Sequence, residues 1–160
     1  MPKLGCLDFL TELVTYHSKG VIKVQMSEQM TVLFANEAYY AAFQSGDYET
    51  METLWARSVT VTCIHPGSHH LMGWNLVMES WKSILTNGDL PDMEAVNPVA
   101  NIYGDMAVVI CYEVFREVTL IATNIFVKED NQWRIMHHQA GGSPKPQMEE
   151  PVYEASKTVQ

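Results

Sequence analysis

Positive charge is scarce in this 160-residue chain: ten Lys and Arg stand against 19 Asp and Glu, a formal net charge of −9 at pH 7. No basic run occurs. Nucleic acids and anionic membrane surfaces both reward clustered Lys and Arg, so the composition argues against either as a main partner. Apolar runs long enough to cross a bilayer are also missing. So is the ordered series of basic, apolar and small residues that marks a secretory leader, and the expected location is cytoplasmic. Cysteine is sparse too. Cys6, Cys63 and Cys111 have no metal-ligand spacing, and the last two sit in apolar strand patterns, as reduced core thiols would. No glycine-rich phosphate loop is present, and Ser68 lacks the surroundings of a hydrolase nucleophile. Neither a cofactor nor a metal is expected.

What remains is an ordinary globular composition, 47% hydrophobic and 18% charged, long enough for one domain with a real core. Three parts can be distinguished. Residues 1–26 carry Leu4, Leu7, Leu10, Leu13 and Val14 at roughly helical spacing, which predicts an N-terminal helical extension. The body spans residues 27–142. Residues 143–160 have little to bury and are expected to form a flexible tail.

Within the body, Ser27 is placed to cap a helix that ends near Ser45-Gly46. Met30, Phe34 and Ala41 share one face of it, and Val32, Asn36, Tyr39 and Phe43 the other, so both faces should be covered. Asp47 would cap a second, short helix that turns Tyr48, Met51, Leu54 and Trp55 inward. An alternating strand follows, with Val59, Val61, Cys63 and His65 on one face. After Gly73, Trp74, Val77, Met78, Trp81, Ile84 and Leu85 mark a third helix stopped by Gly88. Beyond Pro91 the pattern turns to strands over residues 96–103, 106–117, 119–128 and 132–140. Three helices followed by a long meander predict an α+β fold, helices packed on one face of a curved antiparallel sheet.

Several short motifs then resemble one superfamily. Tyr39-Tyr40-Ala41-Ala42-Phe43-Gln44-Ser45-Gly46-Asp47, Leu54-Trp55-Ala56, the strand into His65-Pro66-Gly67, and Trp133-Arg134-Ile135-Met136-His137-His138 are similar to the nuclear transport factor 2-like proteins, in particular their SnoaL-like, or ketosteroid isomerase-like, branch. Asn97 to Gly104 and the last strand also resemble the association domain of calcium/calmodulin-dependent kinase. The resemblance covers roughly residues 28–142. It implies a cone, a cystatin-like α+β barrel in which a bent sheet wraps the helices around a pocket. Steroid isomerases of this fold use a helix tyrosine and a protonated late-strand aspartate as oxyanion donors, with a carboxylate base on an earlier strand. By motif these positions fall on Tyr39, Asn124 and His65. Two of the three depart from the isomerase pattern.

Read from the residues alone, Asn124 shares a strand face with Leu120, Ala122 and Phe126, so its amide is buried and needs partners. With Tyr39 it could form an oxyanion hole, and His65, with an unperturbed pKa of about 6.5, could take a proton beside a carbonyl. The same three residues could instead satisfy one another or the backbone, in a purely structural role. Further pocket lining is expected from Tyr40, Trp55, Met72, Trp74, Trp81, Phe126 and His138. His69-His70 lack a third ligand of suitable spacing. Two function classes stay open. One is a cofactor-independent isomerase, dehydratase or cyclase acting on a small apolar carbonyl or hydroxyl compound. The other is a non-catalytic ligand-binding or oligomerisation module. A cavity of about 300 Å³ or more, with Tyr39, His65 and Asn124 converging on it, would favour the first. Ile121, Thr123, Ile125 and Val127, beside Trp133, Ile135 and His137, suggest an apolar outer sheet face covered by homodimerisation.

Overall fold

Val14, Thr15, Val21, Ile22 and Val24 are β-branched, a composition suited to extended backbone. Strands β1 (Val14–Ser18) and β2 (Val21–Gln25) accordingly pair as an antiparallel ribbon, Val14 opposite Gln25. Residues 14–18 and 21–25, where of the expected helical stripe only Val14 falls, are therefore strand rather than helix. The computed structural model describes residues 14–18, 21–25 and 27–146, so Leu4 to Leu13 and most of the expected tail lie outside the described residues.

Ser27 does cap the first long helix. Its Oγ accepts from the Met30 amide at 3.2 Å, opening α1 (Glu28–Ser45). Gly46 closes it with φ of 67°, and a Cβ there would meet the Leu85 carbonyl at 3.3 Å, so glycine is required twice over. Asp47 then caps α2 (Tyr48–Leu54), its Oδ1 accepting from the Thr50 amide at 2.9 Å. Helix α1 buries Val32, Asn36, Tyr39, Tyr40 and Ala42, while Ala41 is exposed and Phe34 keeps 51% of its surface open. In this chain the helix is covered on one side only, and a single exposed aromatic is tolerated.

The remaining elements are β3 (Thr62–Ile64), β4 (Leu71–Met72), α3 (Trp74–Thr86), β5 (Met93–Tyr103), β6 (Met106–Phe115), β7 (Thr119–Glu129) and β8 (Gln132–Gly142). The last four strands form an antiparallel meander, and the sheet order is β4-β3-β8-β7-β6-β5. Strand β3 is shorter than its alternating pattern, and Val59 and Thr60 are exposed. The Glu129 carboxylate takes the amides of Arg57 and Ser58, at 3.0 and 2.7 Å, so that backbone is satisfied by a side chain rather than a ladder. Strand β3 lies parallel to β8, Cys63 beside His138, which makes the sheet mixed at that edge. The sheet curves without closing, and its concave face holds α1.

Strand parity inside the sheet turns on one irregularity. Ile125 pairs with His137, but Phe126 pairs with Ile135, leaving Met136 as an extra residue in β8. Past that bulge the facing alternation is shifted by one. Trp133 and Ile135, expected on the outer face with His137, are instead 6% and 0% exposed in the core. His138 is inward as well. Among the described residues no helix is long and apolar enough to cross a membrane.

Candidate functional site

Three layers meet at the end of α1. The helix brings Tyr39, Tyr40 and Phe43, at spacings of one and four, to the side facing the sheet. Helix α3 contributes Trp81 and Ile84, and His65 and Pro66 arrive where β3 ends. Met93 on β5, Glu113 and Phe115 on β6 and His138 on β8 complete the wall of a cavity of about 200 Å³. Flat rings dominate it. Trp81 meets Tyr39 edge-on at 5.6 Å and His65 at 4.8 Å between ring centres.

Behind this wall runs one hydrogen-bond chain, and it orders its own protons. Asn124 is fully buried, and its Nδ2 donates to Asn36 Oδ1 at 2.7 Å and to the Tyr40 hydroxyl at 3.2 Å. Its Oδ1 must then accept, and the His138 Nδ1 lies 2.6 Å away. His138 therefore carries its proton on Nδ1 and leaves Nε2 as a bare acceptor. Tyr40 passes the chain on, donating to Glu113 Oε1 at 2.9 Å. The Glu113 Oε1 and His138 Nε2 stand 4.0 Å apart.

Burial sets the charges. His138, 3% exposed, is pushed down to about 3 by desolvation, with His65 and His137 adding to the effect, so its ring is neutral near pH 7. Desolvation raises the Glu113 carboxyl above its ordinary range, opposed by the Tyr40 hydrogen bond. His65 is shifted down by burial, and its Nε2 lies 2.9 Å from Ser80 Oγ. Cys63, although 3.7 Å from the His65 ring, is pushed up to about 12 by burial and is not a nucleophile at neutral pH. Two cavity residues carry buried donors without a partner: the Tyr39 hydroxyl and the Trp81 indole N–H.

Of the expected triad, Tyr39 and His65 line the cavity and Asn124 does not. It stands one layer back, its amide fully used by Asn36, Tyr40 and His138. Tyr40, Trp81 and His138 line the cavity. The other four expected wall residues lie elsewhere. Trp55 and Phe126 are core, Trp74 lies beneath the Arg57 guanidinium at 3.2 Å, and Met72 on the short edge strand is 56% exposed. His69 and His70 are exposed, and no group of three potential metal ligands occurs among the described residues. Sequence reasoning missed Glu113. The signal was there: Ala107, Val109, Cys111 and Glu113 alternate along β6, which puts a carboxylate in an inward register.

A neutral imidazole, a carboxyl of raised pKa and two residues with unpartnered buried donors border an apolar space, and Trp55 and Thr119, outside it, carry orphan atoms of the same kind. The SnoaL-like domain model matches residues 32–143, most of the body and the whole cavity wall. The chain belongs to the SnoaL-like family. Among solved structures, this SnoaL-like chain is similar to a candidate dehydratase of the NTF2-like family from Streptomyces avermitilis, at 27% identity and a TM-score of 0.65, over 71% of this chain and 95% of that one. A calcium/calmodulin-dependent kinase II hub from S. rosetta shares the fold at 21% identity and a TM-score of 0.62, over 75% of this chain and all of the other. The F-box protein SKIP8 of Arabidopsis thaliana is 24% identical over 112 residues. That stretch is 68% of this chain, and the chain spans about half the length of that relative. The SnoaL-like and NTF2-like fold includes isomerases and dehydratases as well as hub domains that do no chemistry.

Proposed function

We propose that this protein holds a small, uncharged, largely apolar carbonyl compound in the cavity between α1 and the sheet, and transfers a proton at the carbon beside the carbonyl. The observation that carries this reading is the pair of orphan donors. Tyr39 and Trp81 are 1% and 3% exposed, and each has a polar hydrogen with no acceptor. An unmet buried donor costs about 1–3 kcal/mol, a cost that a ligand oxygen would relieve. Tyr39 and Trp81 then act as oxyanion donors and His65 as the base, so enolate formation needs no cofactor. Isomerisation, dehydration and cyclisation share that step. The likeness to a candidate dehydratase at 27% identity supports it. A volume of about 200 Å³, with Asn124 outside the wall, does not reach the cavity of about 300 Å³ with all three residues converging that would favour an enzyme, and it admits only a compact ligand.

The test uses cyclohexanone. Its binding should perturb the Trp81 indole resonance, and its α-protons should exchange with D₂O faster than in buffer. His65→Ala should lower that exchange about 10²-fold, and Tyr39→Phe by less. Exchange at the buffer rate, with no perturbation of Trp81, would sink the reading.

A second reading rests on the opposite face of the sheet. Val99, Tyr103, Met106, Ile110 and Ile121 are all 40% exposed or more. An apolar face of this kind suits self-association, as in the hub domains of the same fold, and a homodimer is the simplest closed form. Light scattering giving 18.1 kDa at micromolar concentration would count against it.

A further inference from the structure

We propose that Ser80 is a positioning residue for His65: its hydroxyl oxygen accepts the Nε2 proton, fixes the ring in that tautomer, and leaves Nδ1 as the atom that takes a proton from the ligand. The proposal rests on the reading of His65 as the base. It adds to that reading a residue outside the cavity wall and the identity of the ring atom that reacts.

Three observations converge. First, two successive residues of α3 hold the His65 ring. Ser80 Oγ lies 2.9 Å from Nε2, and the Trp81 ring meets the imidazole edge-on at 4.8 Å, with 79° between the planes. Second, Ser80 departs from other hydroxyls on the helices. Ser45 and Thr86 each donate to the carbonyl four residues back, at 2.8 and 2.7 Å, as helical hydroxyls commonly do. Ser80 makes no such bond among the described residues, and its hydroxyl is turned away from its own helix toward the end of β3. Third, the two tautomers of His65 are not equivalent. With the proton on Nδ1, that N–H would face, among the described residues, only Cys63 Sγ, a weak acceptor 3.9 Å away. With the proton on Nε2, the N–H donates to Ser80 Oγ, and the serine's own proton turns to solvent, which a half-buried residue still reaches. Only the second arrangement leaves no N–H unmet, and an unmet donor is the costlier defect.

Proton transfer strengthens this contact. As the ligand's C–H bond breaks, its electron pair passes into the enolate and the proton forms a bond to Nδ1. The ring becomes a cation, and Nε2–H then donates to Ser80 as a charge-assisted bond. An interaction that tightens as the proton moves lowers the barrier rather than merely holding the ground state. His138 is anchored by its other edge, Asn124 Oδ1 taking the Nδ1 proton at 2.6 Å and leaving Nε2 bare. The two cavity histidines thus present different nitrogens, each set by a residue behind the wall.

Long-range ¹H–¹⁵N correlation spectra of the full chain at pH 7 test the tautomer, and cyclohexanone exchange tests the role. Native His65 should show a protonated Nε2 and a bare Nδ1. Ser80→Ala, a change that favours the helix, should let both tautomers appear. It should also slow the exchange of cyclohexanone α-protons with D₂O about 10-fold, the worth of one hydrogen bond to a charged ring. Ser80→Thr keeps the hydroxyl and should restore both readouts. A merely structural serine would move the melting temperature and leave the tautomer as it was. Native His65 protonated on Nδ1, or a tautomer unchanged in Ser80→Ala, overturns the inference whatever the exchange rate. Fast exchange in the native chain and equally fast exchange in Ser80→Ala overturns the positioning role and leaves His65 as the base. Exchange at the buffer rate in the native chain sinks the base reading itself, and the role of Ser80 falls with it.

Discussion

The space between α1 and the sheet is filled differently at its two ends. Toward the start of α1, Val32, Trp55, Phe126 and Ile135 are each 1% exposed or less, and none of them lines the cavity. Toward the end of α1, Tyr39, Trp81 and His138 are nearly as buried, yet they border about 200 Å³ of open space. Residue shape explains the contrast. At the packed end the rings of Trp55 and Phe126 are interleaved with Val32 and Ile135, whereas at the hollow end rings meet edge to face, as Tyr39 and Trp81 do at 90°, and leave corners unfilled. One sheet thus supplies a stabilising end and a ligand-facing end.

Mutations should separate the two ends by size of effect. Ile135→Ala, at the packed end, should cost about 3–4 kcal/mol in urea unfolding, the transfer and cavity terms together. A loss under 1 kcal/mol would erase the distinction. Asn124→Leu removes the hub of the polar chain and strands Asn36, Tyr40 and His138, for an expected loss of about 2–3 kcal/mol. Nitrogen NMR on the same variant should show His138 sampling both tautomers, which a purely structural amide would not control.

Acid should act on the hollow end through His138 and Glu113. His138 is depressed to about 3 from 6.5, so between those values the unfolded chain binds a proton that the native one refuses. Stability should fall as the pH drops through that window, by up to about 1.4 kcal/mol per unit. Glu113 has the opposite sign. Its raised pKa means the native state holds a proton longer, so its contribution fades as the pH rises above 4.5. Urea midpoints measured from pH 7 down to 4 should therefore drop more steeply in Glu113→Gln than in the native chain, and parallel curves would contradict the assignment. The smallest effect is expected from Tyr39→Phe. Removing an unpartnered hydroxyl should change stability by under about 1 kcal/mol, toward greater stability, while weakening cyclohexanone binding. Destabilisation by 2 kcal/mol would mean that the hydroxyl has a partner.

Much of this was legible in the chain itself. Ser27, Gly46 and Asp47 mark their boundaries through bonds that reach only three or four residues, so local chemistry suffices to place them. The four-strand meander followed from alternation and turn residues. The inward register of Asn124 and His138, cross-strand partners on one side of the bulge, was readable. The N-terminal stripe misled at 14–18 and 21–25, where β-branched residues outweighed one valine of a helical pattern. The outer face misled because one extra residue at Met136 moved Trp133 and Ile135 into the core, and no local signal announces a bulge.

The order of α1, α2, β3, α3 and the meander, the caps, strand parity up to the bulge and the inward register of Asn124 were determined by the sequence alone, because each depends on neighbours a few positions away. Which inward residues meet a void was decided only by the tertiary structure. Tyr40 reaches Glu113 across 73 residues and Asn124 reaches Asn36 across 88, so Asn124 is spent inside the wall while Glu113 is left facing the cavity. That exchange of roles depends on how rings from α1, α3 and the sheet pack against one another, and no periodicity in a single chain segment encodes it.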